Sequence, residues 1–192
     1  MGTYVNGLYN PDMNREFSTV EEMLRTIVKC DEYPTTTALM KTLEAVRDRG
    51  WFNRDEFVAM GMWKSPRPKQ HYLSNEPETV ISVSGKALSA PTDREKLTKL
   101  IELSGVSLPV ATAILTLIYP EKYGVIDIRA WQVFHLYGVL NWREGGKGFS
   151  VEDCLAYLEV LRRYAAILNV TPRDIDRSLY IYHKTIQEGT LY

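Results

Sequence analysis

One stretch constrains this chain more than any other: Leu103-Ser104-Gly105-Val106-Ser107-Leu108-Pro109-Val110-Ala111-Thr112-Ala113-Ile114-Leu115, followed by Val125-Ile126-Asp127. It reads as the end of an amphipathic helix, a tight glycine turn, a second, apolar helix, and then an acidic residue that opens a third. Gly105 supplies the backbone freedom for a turn too sharp for most residues. Pro109 suits the first turn of the following helix, where its missing N–H costs nothing. The N–H groups from Gly105 to Leu108 therefore point outward from a helix start, which makes a ready anion site. Asp127, 18 residues after Pro109, is placed to return to the mouth of that site.

The rest of the chain reads as helices in succession. Ser18-Thr19-Val20-Glu21 looks like a capping signal for a helix to about Cys30, with Met23, Ile27 and Val28 inward. Pro34 starts a second, with Leu39, Leu43 and Val46 inward, stopped by Gly50. Asn53 caps a third through Phe57 and Met60, and Asn75, with Glu78 three residues on, caps a fourth. Thr92, with Glu95 three on, opens the first hairpin helix, whose stripe is Leu97, Leu100, Ile101 and Leu103. Ser150 caps a long helix reaching Leu168, and Thr171-Pro172 begins the last, which ends at Gly189. Pro66-Arg67-Pro68 is the longest irregular crossing. No stretch sustains a two-residue period over a strand length, so the expected fold is all-α, of roughly nine helices in two lobes. The whole chain, 1–192, reads as a single all-α domain with its hairpin at about 93–118. A lobe boundary falls near 120–124 or near 143–149, where Gly145-Gly146-Lys147-Gly148 is the loosest segment.

Composition narrows the partners. A net charge of -1 is low for a duplex binder, since phosphate neutralisation usually shows as a basic excess; any nucleic-acid surface must be a local patch. Two cysteines, Cys30 and Cys154, lie far apart in apolar helical patterns and read as small buried hydrophobes. No run is long enough to span a bilayer, and no targeting segment is evident. A cytoplasmic protein without disulfides, monomeric and without a membrane partner, is the expectation. His71, His135 and His183 are dispersed and show no zinc-ligand spacing.

The hairpin and its trailing aspartate resemble those of the helix-hairpin-helix superfamily of base-excision DNA glycosylases, which includes endonuclease III and 8-oxoguanine glycosylase. Leu103, Gly105, Val106, Val110, Ala111, Ile126 and Asp127 fall in register with that family's pattern, over roughly a sixth of the chain. Two positions depart from it. Ser107 stands where a second hairpin glycine usually sits, and Pro109 where the bifunctional members carry their Schiff-base lysine. Two cysteines are also too few for the iron–sulfur cluster of the endonuclease III branch. The resemblance thus implies a divergent, monofunctional glycosylase-like protein, binding double-stranded DNA and lacking a lysine-dependent lyase step at Pro109. It also implies that hairpin carbonyls, here those of Ile101, Leu103 and Val106, hold a monovalent cation. No other cofactor is expected.

Particular residues carry this expectation. Asp127 is the candidate catalytic carboxylate: base excision needs an anion that stabilises the sugar cation formed as the base departs. Aspartate at a helix start is also a good N-cap, and the two roles are compatible. Gly105, Val106, Ser107 and Leu108 would hold the DNA backbone through N–H groups. In Met62-Trp63-Lys64-Ser65-Pro66-Arg67-Pro68-Lys69, the cations Lys64, Arg67 and Lys69 would meet phosphates while Trp63 stacks on a base; the alternative is a solvated basic loop with Trp63 in the core. Arg129 and Trp131 follow Asp127 by two and four residues, so they either line a pocket beside it or serve as surface ion pair and core packing. Tyr180 and His183 share a face of the last helix, which either reaches a base pocket or simply packs; an aromatic stripe at helical spacing reads first as packing. Against the glycosylase stands a non-catalytic helix-hairpin-helix module that binds nucleic acid or protein, and beyond it a plain helical scaffold.

Overall fold

The computed structural model describes residues 16–143 and 145–187, and among these it contains eleven helices and no strand. They are α1 (Val20–Ile27), α2 (Pro34–Thr42), α3 (Glu44–Arg49), α4 (Arg54–Lys64), α5 (Lys69–Leu73) and α6 (Pro77–Ser89). The hairpin pair α7 (Asp93–Leu100) and α8 (Leu108–Ile118) comes next, then α9 (Ile128–Leu136), α10 (Val151–Leu168) and α11 (Pro172–Ile186). The fold is all-α, as the helical periodicity requires.

The centre of the molecule is α8. Every residue from Val110 to Ile118 is buried, so beyond its first two residues the helix has no solvent face, as a sequence apolar on nearly all sides demands. It packs against α4, α7, α10, α2 and α3. Its two threonines are satisfied internally: the Thr116 hydroxyl donates to the Thr112 carbonyl at 2.7 Å, and that of Thr112 to the Pro109 carbonyl at 3.1 Å. Helix α11 packs against both α9 and α10, with α1 laid against α11. Their shared interior is aromatic: Trp131 lies against Phe149 and Tyr157, and Phe134 against Tyr157 and Tyr164.

Local signals set most helix starts. Reciprocal capping boxes stand at Asn53/Glu56, Thr92/Glu95, Ser150/Asp153 and Thr171/Asp174. Gly50, at φ +74°, ends α3, and Asn169, at φ +55°, ends α10, both in the left-handed conformation that suits those residues at a helix C-terminus.

The structure departs from the sequence reading at several points. The first helix ends at Ile27, not Cys30, and Cys30 is exposed, while Cys154 is buried. The helix expected from Pro34 to Gly50 breaks at Leu43 into α2 and α3, and a short α5 follows the proline crossing, which raises the count above nine. Gly189 lies outside the described residues. Asn75 does not cap the fourth expected helix. That helix, α6, starts one residue later with Pro77 in its first turn and no side-chain cap, because the Asn75 amide is engaged elsewhere. The glycine run after Arg143 is anchored: the Trp131 indole donates to the Arg143 carbonyl at 3.0 Å, Arg143 pairs with Asp153 at 2.6 Å, and Gly146 is buried against Ile128 and Trp131.

Candidate functional site

The hairpin turn is held from behind by Tyr72 and Asn75. Gly105 has φ +85°, and a Cβ there would stand 2.9 Å from both His71 Cβ and Tyr72 Cδ1. Only glycine meets both conditions. On its other side the same Tyr72 ring faces Gly61 of α4, where an added Cβ would lie 2.8 Å away. The buried tyrosine is thus wedged between α4 and the hairpin. Asn75 completes the clasp: its Oδ1 accepts from the Ser104 N–H at 2.8 Å, and its Nδ2 donates to the carbonyls of Ser104 (3.1 Å), His71 (2.8 Å) and Tyr72 (3.1 Å).

Ser107 is the N-cap residue of α8, at φ -89° and ψ 168°. This is ordinary extended backbone, so a serine stands there without strain in place of the expected glycine. The Ala111 N–H bonds back to the Ser107 carbonyl at 2.8 Å, which leaves the N–H groups of Leu108 and Val110 at the open helix start. Leu103 and Val106 are buried, and the Leu103 carbonyl accepts from the Val106 N–H at 3.1 Å; Ile101, half a turn earlier, is exposed.

Three separate contacts fix the segment leading to Asp127. The Val125 N–H donates to Asp176 of α11 at 2.8 Å, and the Ile126 N–H to the Thr112 hydroxyl of α8 at 3.2 Å. Gly124 lets the chain approach closely, since a Cβ there would meet Leu161 Cδ1 at 2.4 Å and the Pro172 carbonyl at 3.0 Å. Asp127 then caps α9, its Oδ1 accepting from the Arg129 N–H at 2.9 Å. Its other oxygen, Oδ2, lies 2.6 Å from Lys64 Nζ, at the C-terminus of α4. Burial pushes the Asp127 carboxyl upward, but the Lys64 ammonium and the Arg129 N–H outweigh it and hold the group below the ordinary aspartate value. Asp127 is an anion at neutral pH.

The Lys64–Asp127 pair stands at the junction of two clefts. The larger, of about 470 Å³, includes Ser65, Pro66, Arg67, Ser107, Pro109 and Val110, so the hairpin start forms one wall and the proline crossing another. The smaller, of about 270 Å³, includes Tyr33, Thr36, Trp63, Arg173, Asp176 and Tyr180. Lys64 and Asp127 line both. Trp63 is fixed in the smaller cleft by its indole, which donates to the Thr36 hydroxyl at 3.0 Å, and by Arg173, whose guanidinium lies 5.2 Å from the ring centroid. Arg173 also pairs with Glu32 and Asp176, each at 2.7 Å. Burial raises the Asp176 carboxyl to about 6 despite Arg173 and the Val125 N–H.

The remaining candidates are scattered around this centre. Lys64 faces Asp127 and is mostly buried, so it is not the solvent-facing phosphate cation that the basic run suggested. Arg67 is exposed and lines the larger cleft; Lys69 is exposed at the start of α5 and lines neither. Arg129 reaches back to α11, donating to Gln187 Oε1 and lying 5.7 Å from the Tyr180 ring centroid. It also sits 3.4 Å from His183, a buried histidine whose pKa burial and the neighbouring guanidinium lower to about 4. Trp131 is fully buried in the aromatic interior and lines neither cleft. Sequence reasoning missed Asn75 as a clasp, Thr112 and Asp176 as anchors of the Asp127 segment, and the partnership of Lys64 with Asp127. The one signal for Thr112 and Asp176 was a polar residue inside an otherwise buried helix face.

Among the described residues no group of histidine, cysteine and carboxylate side chains is arranged to hold a metal, and no helix is long and apolar enough to cross a membrane. Set against protein-family models, curated proteins and solved structures, the chain matches none.

Proposed function

We propose that this protein binds double-stranded DNA and removes a damaged or mismatched base by hydrolysis of its N-glycosidic bond, with Asp127 as the catalytic carboxylate. The observation that carries the reading is the position of Asp127, an anion at the junction of a cleft walled by a helix-start hairpin and a smaller cleft walled by Trp63, Tyr33 and Tyr180. In this reading the strand runs along the larger cleft, with its phosphates on the N–H groups of Leu108 and Val110 and near Arg67. The extruded base enters the smaller cleft, whose aromatic wall offers stacking surface. Asp127 then faces the sugar between them and stabilises the positive charge that develops as the base leaves. A monovalent cation on the hairpin carbonyls of Ile101, Leu103 and Val106 belongs to the same proposal.

The test is an abasic-site assay on duplexes that each carry one lesion, read after alkaline cleavage. Native protein releases the base from at least one substrate, and Asp127→Asn, which still caps α9, lowers the rate on the order of 100-fold or more. A second reading, a DNA-binding module without catalysis, draws on the neutralisation of Asp127 by Lys64. It predicts duplex binding with no base release from any substrate.

A further inference from the structure

The smaller cleft carries unspent hydrogen-bond donors, while its carboxylates are already engaged. Arg177 of α11 lines it and is 4% exposed, yet its Nε–H has no partner among the described residues. One terminal nitrogen of that guanidinium donates to the Lys29 carbonyl. The carboxylate paired with it, that of Asp31, stands 4.0 Å off and is itself 87% exposed. Thr36, also buried, accepts from the Trp63 indole, and its hydroxyl donates to no described residue. The acceptors are spent by contrast. Asp127 takes the Arg129 N–H on one oxygen and Lys64 on the other, and Asp176 takes the Val125 N–H and Arg173. A buried N–H without an acceptor is a desolvation cost that a ligand oxygen removes. At about 270 Å³, just under the roughly 300 Å³ where small-molecule sites begin, the cleft suits one planar ring system between Tyr33, Trp63 and Tyr180.

We propose that Arg177 selects the occupant of this cleft by a keto oxygen that accepts from its Nε–H, so that the substrates are deaminated bases. This rests on the reading of the cleft as the seat of an extruded base, and it names the class of base. Deamination replaces an exocyclic amino group by a keto oxygen: cytosine becomes uracil, and adenine becomes hypoxanthine. The ring keeps nearly the same outline, but a donor becomes an acceptor at that edge. A guanidinium has donors and no acceptor. Against it, the amino group of the parent base sets donor against donor and leaves both unpaired, whereas the keto oxygen pairs. A site built to hydrogen-bond a ligand group rejects the analogue that lacks the partner far more strongly than an apolar pocket rejects a change of size. Stacking on the aromatic wall is indifferent to the exchange, since every base has a π-face. The discrimination therefore falls to Arg177, with the Thr36 hydroxyl as a second donor on the same wall.

The experiment uses the full chain and free bases, without DNA or turnover, so it reads the cleft apart from base removal. Uracil, cytosine, hypoxanthine and adenine are titrated in turn while NMR follows the Arg177 Nε–H and the Trp63 indole N–H. Uracil and hypoxanthine are expected to shift both resonances saturably. Each is expected to bind at least about tenfold more tightly than its amino parent. Arg177→Lys keeps the charge but puts a methylene where Nε stands; it is expected to bring each pair within about twofold, with a melting temperature near native. Equal binding within either pair by native protein, an Arg177 resonance that no keto base moves, or an unchanged preference in Arg177→Lys overturns the proposal. Inorganic phosphate shifting that resonance where no keto base does overturns it in favour of an anion site. The Arg177 resonance is read in native protein, so it decides the matter even if Arg177→Lys does not fold. A keto preference without base release from any duplex would count against the hydrolysis reading alone; base release from duplexes without a keto preference would overturn this inference alone.

Discussion

Asn75 offers the sharpest test of how the hairpin is held, because its two roles predict opposite responses to one substitution. As a helix N-cap, asparagine is replaceable by aspartate at almost no cost, since the two rank together at that position. As the clasp seen here, the amide donates to three carbonyl oxygens and accepts from one N–H, and it is nearly buried. Removing it in Asn75→Ala loses the bond to Oδ1 and both donors of Nδ2, which three carbonyls share. At a net value of roughly 1 kcal/mol each, reduced because water reaches exposed Ser104, the cost is about 2–3 kcal/mol. For a chain of this size that lowers the melting temperature by roughly 5–10 °C. Asn75→Asp keeps the acceptor but turns the donor into an anion facing three carbonyls, so it costs at least as much at neutral pH. Its folded-state pKa is raised, so the variant gains stability as pH falls toward and below the ordinary aspartate value of about 3.9, where the protonated carboxyl again donates. Thermal denaturation from pH 3 to 8, with hydrogen exchange at the Ser104 amide, measures both effects. An Asn75→Asp protein as stable as native at pH 7, with Ser104 still protected, would refute the clasp.

Three further outcomes are expected. Gly105→Ala destabilises by more than about 1 kcal/mol, because φ +85° is strained for alanine and its Cβ meets Tyr72 and His71 at 2.9 Å, and it weakens duplex binding more than Lys69→Ala does; equal melting temperatures for Gly105→Ala and native would contradict this. The Asp176 carboxyl is raised by burial to about 6, so its contribution is full below the ordinary aspartate range and is lost as pH rises toward 6. Asp176→Asn should therefore flatten the pH dependence of stability between about 4 and 6, and denaturation curves that keep the native slope there would exclude Asp176 as its source. Duplex binding should be weak and fall steeply with salt, and Arg67→Ala should lower the log–log slope by about one, measured by anisotropy titration.

The parts of this fold that the sequence determined by itself are those that depend on neighbours a few residues away. The capping boxes at Asn53, Thr92, Ser150 and Thr171 join residues three apart, and each stands where the sequence puts it. The run from Val110 to Ile118, apolar but for Thr112 and Thr116, follows Pro109 and reads as an apolar helix, and Asp127 could open the next one wherever that helix lay. Asn75 shows the limit: its local pattern is a good cap, but the Ser104 backbone, 29 residues on, competes for the same amide with more bonds. Lys64 and Asp127 are 63 residues apart, and Asp176 lies 51 beyond Val125. No local spacing encodes such pairs. They exist because α4, α8 and α11 converge on one segment, and packing, rather than periodicity, decides which buried charges meet. The chain leaves Trp131 two readings, pocket lining beside the carboxylate or core packing, and the direction in which α9 is turned decides for the aromatic interior. Element identity is a property of short-range backbone chemistry, and the site is a property of how those elements are laid together.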